Sequence, residues 1–166
     1  MLRTARLYLR NLCPADADIL FDYRNDSRCN QYQRYEDTSK TYLQKFVRDY
    51  SKSSFLSREE EPHYAIVRNA DDKVAGDLSM FFSEEDNCFT IGITIAPLFQ
   101  RQGYAYELLR EVITQLQNQY PSVDIVALIE KDNAKSISLF KKLAFIEECY
   151  AESIGSYVFI LYGKPD

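Results

Sequence analysis

The sequence predicts an α+β fold in which one mixed, twisted sheet carries helices on both faces. Three observations support this. Short alternating or apolar runs have the period of strands, two segments after residue 100 have the period of helices, and the strand runs between 64 and 95 follow each other through short turns. The expected element order is βααβββαβαββ, within one domain that spans residues 1–166.

The first third of the chain is expected to hold one strand and two helices. Residues 7–12 alternate apolar and polar side chains, which indicates a strand. Pro14 opens a helix that continues through Tyr23, because proline is favoured in a first helical turn. A second helix is predicted over 39–50, followed by a polar loop over 51–61.

The middle of the chain is predicted to be an antiparallel meander. Strand patterns cover 64–67, 74–82 and 88–95. The segments between them, 69–73 and 83–87, are rich in Asp and Asn, which favour turns. Such short connections join antiparallel neighbours.

The last third is predicted to alternate helix and strand. Over 103–119 the apolar residues recur at 104, 108, 112 and 116, a period near 3.6, and Pro121 ends this helix. A buried strand is expected over 123–129 and a second amphipathic helix over 133–143, which Asn133 is suited to cap. Two closing strands are expected over 146–151 and 157–162.

Composition excludes several classes of function. The formal net charge of −5 lacks the basic balance of a general nucleic-acid binder. There is no apolar run of membrane-spanning length and no signal-peptide pattern at the start, so we expect a cytoplasmic protein without a membrane partner. Four separated cysteines suggest structural thiols, and a single histidine, His63, leaves little for a metal site or a Ser-His-Asp triad.

The start of the 103–119 helix is the segment with the clearest chemistry. Backbone N–H groups at a helix start lack intrahelical partners and lie at the positive end of the helix dipole, so an anion such as a pyrophosphate fits there. Gly103 permits close approach of a ligand, Ala105 is small, and Gln100 and Arg101 can add side-chain contacts. The alternative is that Gly103 is only a turn residue before a buried helix.

Two segments resemble the GNAT family of N-acetyltransferases. Gln100, Gly103 and Ala105 match the family's motif A, and residues 96–109 resemble the ribosomal-protein alanine acetyltransferase branch. Residues 130–145 resemble the second coenzyme motif, and residues 6–10 resemble that branch's first strand. The resemblance covers nearly the whole chain, with the two motifs in the expected order.

The resemblance implies a GNAT fold, with a splay between the strands at 93–95 and 126–129 and acetyl-CoA as cosubstrate. An N–H group near Ile95 would polarise the thioester carbonyl. Asn133 would contact the pantetheine arm. The full set of implied coenzyme-binding residues is Ile93, Thr94, Ile95, Gln100, Arg101, Gln102, Gly103, Tyr104, Ala105, Asn133, Ser136 and Phe140.

The sequence departs from the family pattern in three places. Phe140 stands where many members have the tyrosine that protonates the leaving thiolate, and Ser136, one turn earlier, is the candidate acid. The alternative for Ser136 is a solvent-facing or capping serine. Ala144 stands where glycine often ends this helix, so that turn is expected to differ. Thr90 replaces the glutamate that often acts as base.

Without that glutamate, an α-amine or another amine of low pKa is favoured as acceptor, since a useful fraction of it is neutral near pH 7. Asp77 and Glu152 are alternative bases, although an ordinary surface charge is the expectation for each. The acceptor wall is expected to contain aromatic and charged residues suited to a peptide or a small polar amine, or else these tyrosines pack on the sheet: Tyr23, Arg24, Asn25, Tyr32, Arg34 and Tyr35.

The predicted function is direct attack of a primary amine on acetyl-CoA. Two alternatives stay open at this point: a non-catalytic acyl-CoA-binding sensor or partner module, and a generic nucleotide- or phosphate-binding domain. The lack of a Walker-type motif and of G-x-G-x-x-G argues against the second. Dimers are common in the family, so a homodimer is compatible with the resemblance.

Overall fold

The computed structural model describes residues 1–165, whose strands and helices follow the predicted order with one addition. The strands are β1 (Leu7–Asn11), β2 (His63–Arg68), β3 (Val74–Ser83), β4 (Cys88–Ile95), β5 (Asp124–Glu130), β6 (Ile146–Ala151) and β7 (Ser156–Leu161). The helices are α1 (Asp16–Arg24), α2 (Ser27–Asn30), α3 (Lys40–Asp49), α4 (Tyr104–Gln119) and α5 (Ala134–Lys142), and a 3-10 turn, Pro97–Phe99, precedes α4.

The added element is α2, a helix of four residues. The Asp26 side chain caps it by accepting a hydrogen bond from the Arg28 N–H. A single turn is too short to show a hydrophobic period, so the sequence pattern could not predict it. None of the helices within residues 1–165 is long and apolar enough to cross a membrane.

The seven strands form one sheet in the order β1-β2-β3-β4-β5-β7-β6. Neighbouring strands are antiparallel except β4 and β5, which are parallel and pair only from Cys88–Asp124 to Thr90–Val126. Beyond Thr90, β4 continues to Ile95 and β5 continues to Glu130, but the two strands no longer pair with each other. The predicted splay between these strands is therefore confirmed, and it opens a cleft at the centre of the sheet.

Helices cover both faces of the sheet, as predicted. On one face α4 and α5 bury Leu108, Val112 and Phe140 against strand residues such as Phe89 and Phe159. On the other face α1 and α3 form a second core against β1 and β2, through Leu20, Leu43, Val47, Ala65 and Val67. Burial of this apolar surface is the main favourable contribution to folding.

Gly76 of β3 lies opposite Ile95 of β4 and leaves no room for a side chain. A Cβ atom at Gly76 would lie 1.9 Å from the carbonyl oxygen of Thr94, so no larger residue fits without moving a strand. A bulge in β3 lies beside this point, because Ile66 and Val67 pair with Gly76 and Val74 and leave Ala75 as the extra residue. The close approach fixes the end of β4, which borders the cleft.

The turn after α5 keeps the left-handed conformation that glycine usually supplies, so the expectation that it would differ was wrong. Ala144 has φ = 67°. The Phe145 N–H donates to the Phe140 carbonyl and the Ala144 N–H donates to the Lys141 carbonyl, both at 3.0 Å. These are the two bonds of a Schellman motif, and its usual apolar contact joins Phe140 to Phe145, whose ring centroids are 5.0 Å apart.

Candidate active site

The start of α4 presents a series of unpaired backbone N–H groups. The first helical bond runs from the Glu107 N–H to the Gly103 carbonyl, at 3.0 Å. The N–H groups of residues 101–106 have no hydrogen-bond partner within residues 1–165. Together with the helix dipole, these groups have the chemistry to hold an anion, at the place where the sequence predicts one.

The loop before α4 is shaped by two residues with positive φ. Arg101 has φ = 61° and Gly103 has φ = 78°. A left-handed residue beside a right-handed helical one turns successive N–H groups toward a common concavity that holds anions. A Cβ at Gly103 would touch only Arg6 Nη2, at 3.5 Å. Conformation, rather than space, is thus the reason for glycine here.

Residues from the start of the chain clamp this loop from outside. Glu107 accepts hydrogen bonds from Thr4 Oγ1 at 2.6 Å, from the Arg6 N–H at 2.9 Å and from Arg6 Nε at 2.6 Å. Arg6 also donates through Nη1 to the Gln102 carbonyl at 2.9 Å and stacks on the Tyr104 ring. Partial burial alone would raise the pKa of Glu107, but the bonds from Thr4 and Arg6 lower it overall.

Sequence reasoning missed this clamp of Thr4, Arg6 and Glu107. Its members lie about 100 residues apart in the chain, and each is an ordinary polar residue in its local pattern. Only the fold brings the segment before β1 alongside the start of α4.

A groove of about 350 Å³ extends from the α4 start into the cleft between β4 and β5. Most of the predicted coenzyme residues line it: Ile93, Thr94, Ile95, Gln100, Arg101, Gly103, Tyr104, Ala105, Asn133 and Ser136. It is also lined by residues that the sequence analysis did not assign to the coenzyme: Arg28, Cys29, Gln31, Tyr32, Gln33, Phe99, Tyr106, Lys135 and Leu139.

Two predicted residues lie outside the groove lining. Gln102 is exposed, and its side chain donates to the Leu98 carbonyl at 3.2 Å. Phe140 is 4% exposed and packs against Phe145 in the α5 turn. The side chain of Phe140 therefore has a structural role that accounts for an aromatic residue at this position.

The end of β4 offers a free backbone edge to the groove. The Ala96 N–H donates to the Ala75 carbonyl on the β3 side, at 2.8 Å. Because backbone groups alternate along a strand, those of Ile95 and Ile93 are directed to the opposite side, where β5 has separated. The Ile95 carbonyl accepts from Gln100 Nε2 at 3.0 Å and from Cys29 Sγ at 3.3 Å.

The start of α5 forms the facing wall. Asn133 Oδ1 caps the helix by accepting from the Ser136 N–H at 3.2 Å. Ser136 is therefore not the capping residue. It is half-buried, lines the groove, and its hydroxyl has no partner within residues 1–165. The geometry gives Ser136 access to a group bound in the groove.

A second cavity of about 310 Å³ lies on the other side of the splay and is walled largely by the N-terminal third of the chain. Asp77 is on its wall. It is 5% exposed, pairs with Arg24 Nη2 at 2.9 Å, and accepts from Tyr23 Oη at 2.5 Å. The expectation of a surface charge at Asp77 was wrong, because a buried carboxylate is tolerated when it is paired in this way.

Aromatic rings surround the ion pair. Arg24 is 3% exposed and stacks on Tyr35 and Phe46, 4.7 and 4.6 Å from their centroids. His63 packs against Phe46 and Tyr50, and burial lowers its pKa to about 4, so the ring is neutral at pH 7. Burial raises the pKa of Tyr35, whose hydroxyl bonds to Thr94 Oγ1 at 3.2 Å.

The groove and the second cavity meet at Gln33, Ile93 and Thr94, which line both. We call this meeting point the neck. The loop that carries Gln33 is fastened on one side by Arg34, which pairs with Glu130 at 2.5 Å, and on the other by Tyr35. The two cavities therefore border the same three residues.

The predicted acceptor wall is only partly brought together here. Arg24, Arg34 and Tyr35 line the second cavity, whereas Tyr32 lines the groove and Tyr23 is buried beneath Asp77. Two other candidates line neither cavity: Asn25, which bonds to the Phe21 and Thr38 carbonyls, and the exposed turn residue Glu152. Thr90, which stands where many members have a glutamate, pairs with Val126 and also lies outside both linings.

Comparison with known proteins identifies the family and the fold. The family described as Acetyltransferase (GNAT) domain matches residues 6–146. No curated protein matches the chain. Three similar solved structures are a GNAT-family acetyltransferase from Bacillus anthracis, a proposed ribosomal-protein-serine acetyltransferase from Vibrio cholerae, and the spermidine/spermine N-acetyltransferase SpeG from Vibrio cholerae.

The structural likeness extends over nearly the full length of each chain. The B. anthracis protein is 15% identical, with 97% of each chain covered and a TM-score of 0.79. The ribosomal-protein-serine enzyme is 20% identical, with 96% and 95% covered and a TM-score of 0.79. SpeG is 18% identical, with 94% and 92% covered and a TM-score of 0.69. At these identities the likeness shows the fold, and the family match over residues 6–146 establishes that the chain belongs to the GNAT acetyltransferases.

Proposed function

We propose that this acetyltransferase moves an acetyl group from acetyl-CoA to a primary amine by direct attack. The observation that carries the proposal is the neck, where the groove and the second cavity share Gln33, Ile93 and Thr94. Two substrates held in these cavities would have their reacting ends in contact there, which lowers the entropic part of the barrier.

The groove has the features that coenzyme A needs. The unpaired N–H groups of residues 101–106 suit its pyrophosphate. The free edge of β4 at Ile93 and Ile95 suits the amides of the pantetheine arm, which would bind like an added strand. Arg101 and Lys135 add positive charge to the groove lining. When bound, acetyl-CoA supplies an activated thioester that an amine can attack.

The residues around the neck would assist that attack in separate ways. A backbone N–H near Ile95 would donate to the carbonyl oxygen of the acetyl group, where negative charge develops. Ser136 has a free hydroxyl on the groove wall and is our candidate for donating a proton to the departing thiolate. Asn133 is fixed by its capping bond and keeps its amide NH₂ for the pantetheine region.

The amine must be neutral to attack. Thr90 lines neither cavity, and Asp77 is held by Arg24 and Tyr23, so neither side chain is a free base. An amine of lowered pKa can lose its proton to water before it reaches the neck. The second cavity suits a peptide N-terminus or a small polar amine.

A thiol-release assay with acetyl-CoA tests the proposal. The amine panel should include peptides with different N-termini, polyamines, aminoglycosides and amino acids, and CoA binding should be measured separately. We expect at least one amine to give thiol release well above hydrolysis. If CoA binds and no amine gives turnover, the protein is a non-catalytic acyl-CoA sensor or partner module instead.

A variant of the α4 start tests the coenzyme site. Gly103→Val places a β-branched residue at φ = 78°, which strains the loop that presents the N–H groups. We expect CoA affinity to fall at least tenfold while the protein stays folded by circular dichroism. Unchanged CoA affinity would show that the pyrophosphate does not bind at this helix start.

A further inference from the structure

The second cavity has a distinctive balance of charge. Its two guanidinium groups are already neutralised, Arg24 by Asp77 at 2.9 Å and Arg34 by Glu130 at 2.5 Å. The remaining basic side chain on the wall, His63, is neutral at pH 7 because burial lowers its pKa to about 4. The lining therefore holds no uncompensated positive charge.

Two carboxylates on the same lining have no cationic partner within residues 1–165. Glu36 accepts only from Tyr42 Oη, at 3.3 Å, and Asp37 accepts only from the N–H and hydroxyl of Ser39, at 2.7 and 3.0 Å. Both residues are exposed and line the cavity, so they lie at its mouth. The free charge facing the cavity is that of these two acids.

The buried wall of the cavity also carries two polar side-chain atoms without a protein partner among the described residues. Arg24 is 3% exposed and its Nε has no partner within residues 1–165. His63 Nδ1 also has no hydrogen-bond partner within residues 1–165. Buried polar atoms are normally bonded to protein or water. These two atoms lie beneath the surface of the cavity, so the preference of the cavity is set by the charged groups and rings that face it.

The aromatic rings of the wall have a matching preference. Tyr42 and Tyr50 line the cavity between the mouth and His63. The faces of such rings attract cations, and a positive group on them gains further from nearby carboxylates. An anionic or neutral group would gain neither interaction.

We infer that the acceptor is an amine with a second positive charge, whose reacting nitrogen lies at the neck while its second cationic group lies by Glu36 and Asp37. This inference rests on the proposed function. The acids and the tyrosine faces hold one end of the acceptor, and Gln33 and Thr94 border the other end. The net charge of −5 also attracts such a molecule toward the protein.

Three probes of similar length separate the classes: putrescine, aminobutanol and aminobutyrate, whose far ends are cationic, neutral and anionic. Thiol release should be compared at equal concentrations of the unprotonated reacting amine. We expect kcat/KM for putrescine to exceed that for aminobutanol by roughly tenfold or more, with aminobutyrate lower still, and the ratio to fall as salt is added. Equal rates, or a preference for aminobutyrate, would overturn the inference.

Calorimetric binding of the same probes to the CoA-bound protein separates failure of the inference from failure of the proposed function. Loss of turnover with every amine would refute amine acetylation, whereas the order of binding still reports on the cavity. Binding of putrescine no tighter than that of aminobutanol would contradict the inference even if acetyl transfer occurred.

Paired variants locate the effect. Glu36→Gln with Asp37→Asn should reduce the putrescine to aminobutanol ratio to within about twofold of unity while CoA affinity is unchanged. The matched control is Glu84→Gln with Glu85→Gln, which makes the same charge change in an exposed turn that lines neither cavity. A ratio that fell equally in both pairs would indicate only the overall charge of the protein and would sink the assignment to the mouth.

Discussion

At the scale of single residues, Ser136 carries the most specific chemical expectation. Ser136→Ala should lower kcat by about tenfold to a hundredfold, the range of a lost general acid, while CoA affinity stays within about twofold. Ser138 is exposed on the same helix and outside the groove, so Ser138→Ala is the matched control. Steady-state thiol release measures both. Full activity of Ser136→Ala would show that another group or water protonates the thiolate.

Ala144 offers a test of backbone strain. A residue with a Cβ at φ = 67° is strained, and glycine is not, so Ala144→Gly should raise the free energy of unfolding by about 1 kcal/mol despite the greater freedom of glycine in the unfolded chain. Urea unfolding measures this. Ala134→Gly, at the exposed first position of α5, should have the opposite sign. A loss of stability in both glycine variants would contradict the strain argument.

His63 should make stability depend on pH in a defined window. Its pKa is about 4 when folded and near 6.5 when exposed, so the unfolded chain binds a proton first as pH falls. Stability is full above pH 6.5 and decreases down to pH 4, by up to about 3 kcal/mol for a shift of this size. Urea unfolding should show this slope of the free energy of unfolding against pH in the unaltered protein and not in His63→Phe. An equal slope in both proteins would show that His63 is not its cause.

The structural position of a residue was predictable from sequence where it depends on neighbours in the chain. It was not predictable where it depends on residues far away in the sequence. Gly103, Ala105 and Asn133 were identified because helix starts and caps have local patterns. Asp77 was expected at the surface, since nothing near it in the sequence indicates that Arg24 and Tyr23 will meet it. Phe140 looked like a missing acid until its contact with Phe145 gave it a structural role.

At the scale of elements, the clamp of Thr4, Arg6 and Glu107 joins the segment just before β1 to the first turn of α4. Glu107→Gln should weaken CoA binding by about threefold to tenfold, because a neutral amide holds Arg6 less firmly and lets the loop at Gln102 relax. The change should raise KM for acetyl-CoA more than it lowers kcat. Calorimetry and initial rates measure the two effects.

The control for this variant is Glu111→Gln, one turn further along α4, where the carboxylate accepts only from Gln115. We expect its CoA affinity to match that of the unaltered protein. If the two variants behave alike, the clamp does not position the loop.

Helices and strands with a clear hydrophobic period were predicted from the sequence, whereas the contacts between them were not. The periodic segments of α4 and α5 and the meander of β2, β3 and β4 appear close to the expected bounds. The single turn of α2 gave no period, and the clamp depends on a contact between opposite ends of the chain. The sequence thus predicted the parts of the groove that one helix start supplies, whereas the second cavity depended on the packing of α1, α3 and the sheet.

At the scale of the whole molecule, CoA binding should stabilise the folded state, because the groove combines segments that are separate in the unfolded chain. CoA at 100 times its dissociation constant should add about 2.7 kcal/mol. For a domain of this size that raises Tm by roughly 5–10 °C. Thermal unfolding with CoA and with ATP checks this; an equal rise with ATP would favour a generic nucleotide-binding domain.

On either side of the neck, the two cavities are built from different segments of the chain. The groove draws mainly on residues 93–139, whereas the second cavity draws mainly on residues 24–79, and the two share only three side chains. Under the proposed function, mutations in the earlier segment can therefore alter acceptor choice while the donor site is retained. Exchange of residues 24–79 between relatives should transplant acceptor preference, so this architecture makes diversification of substrates accessible through local genetic change.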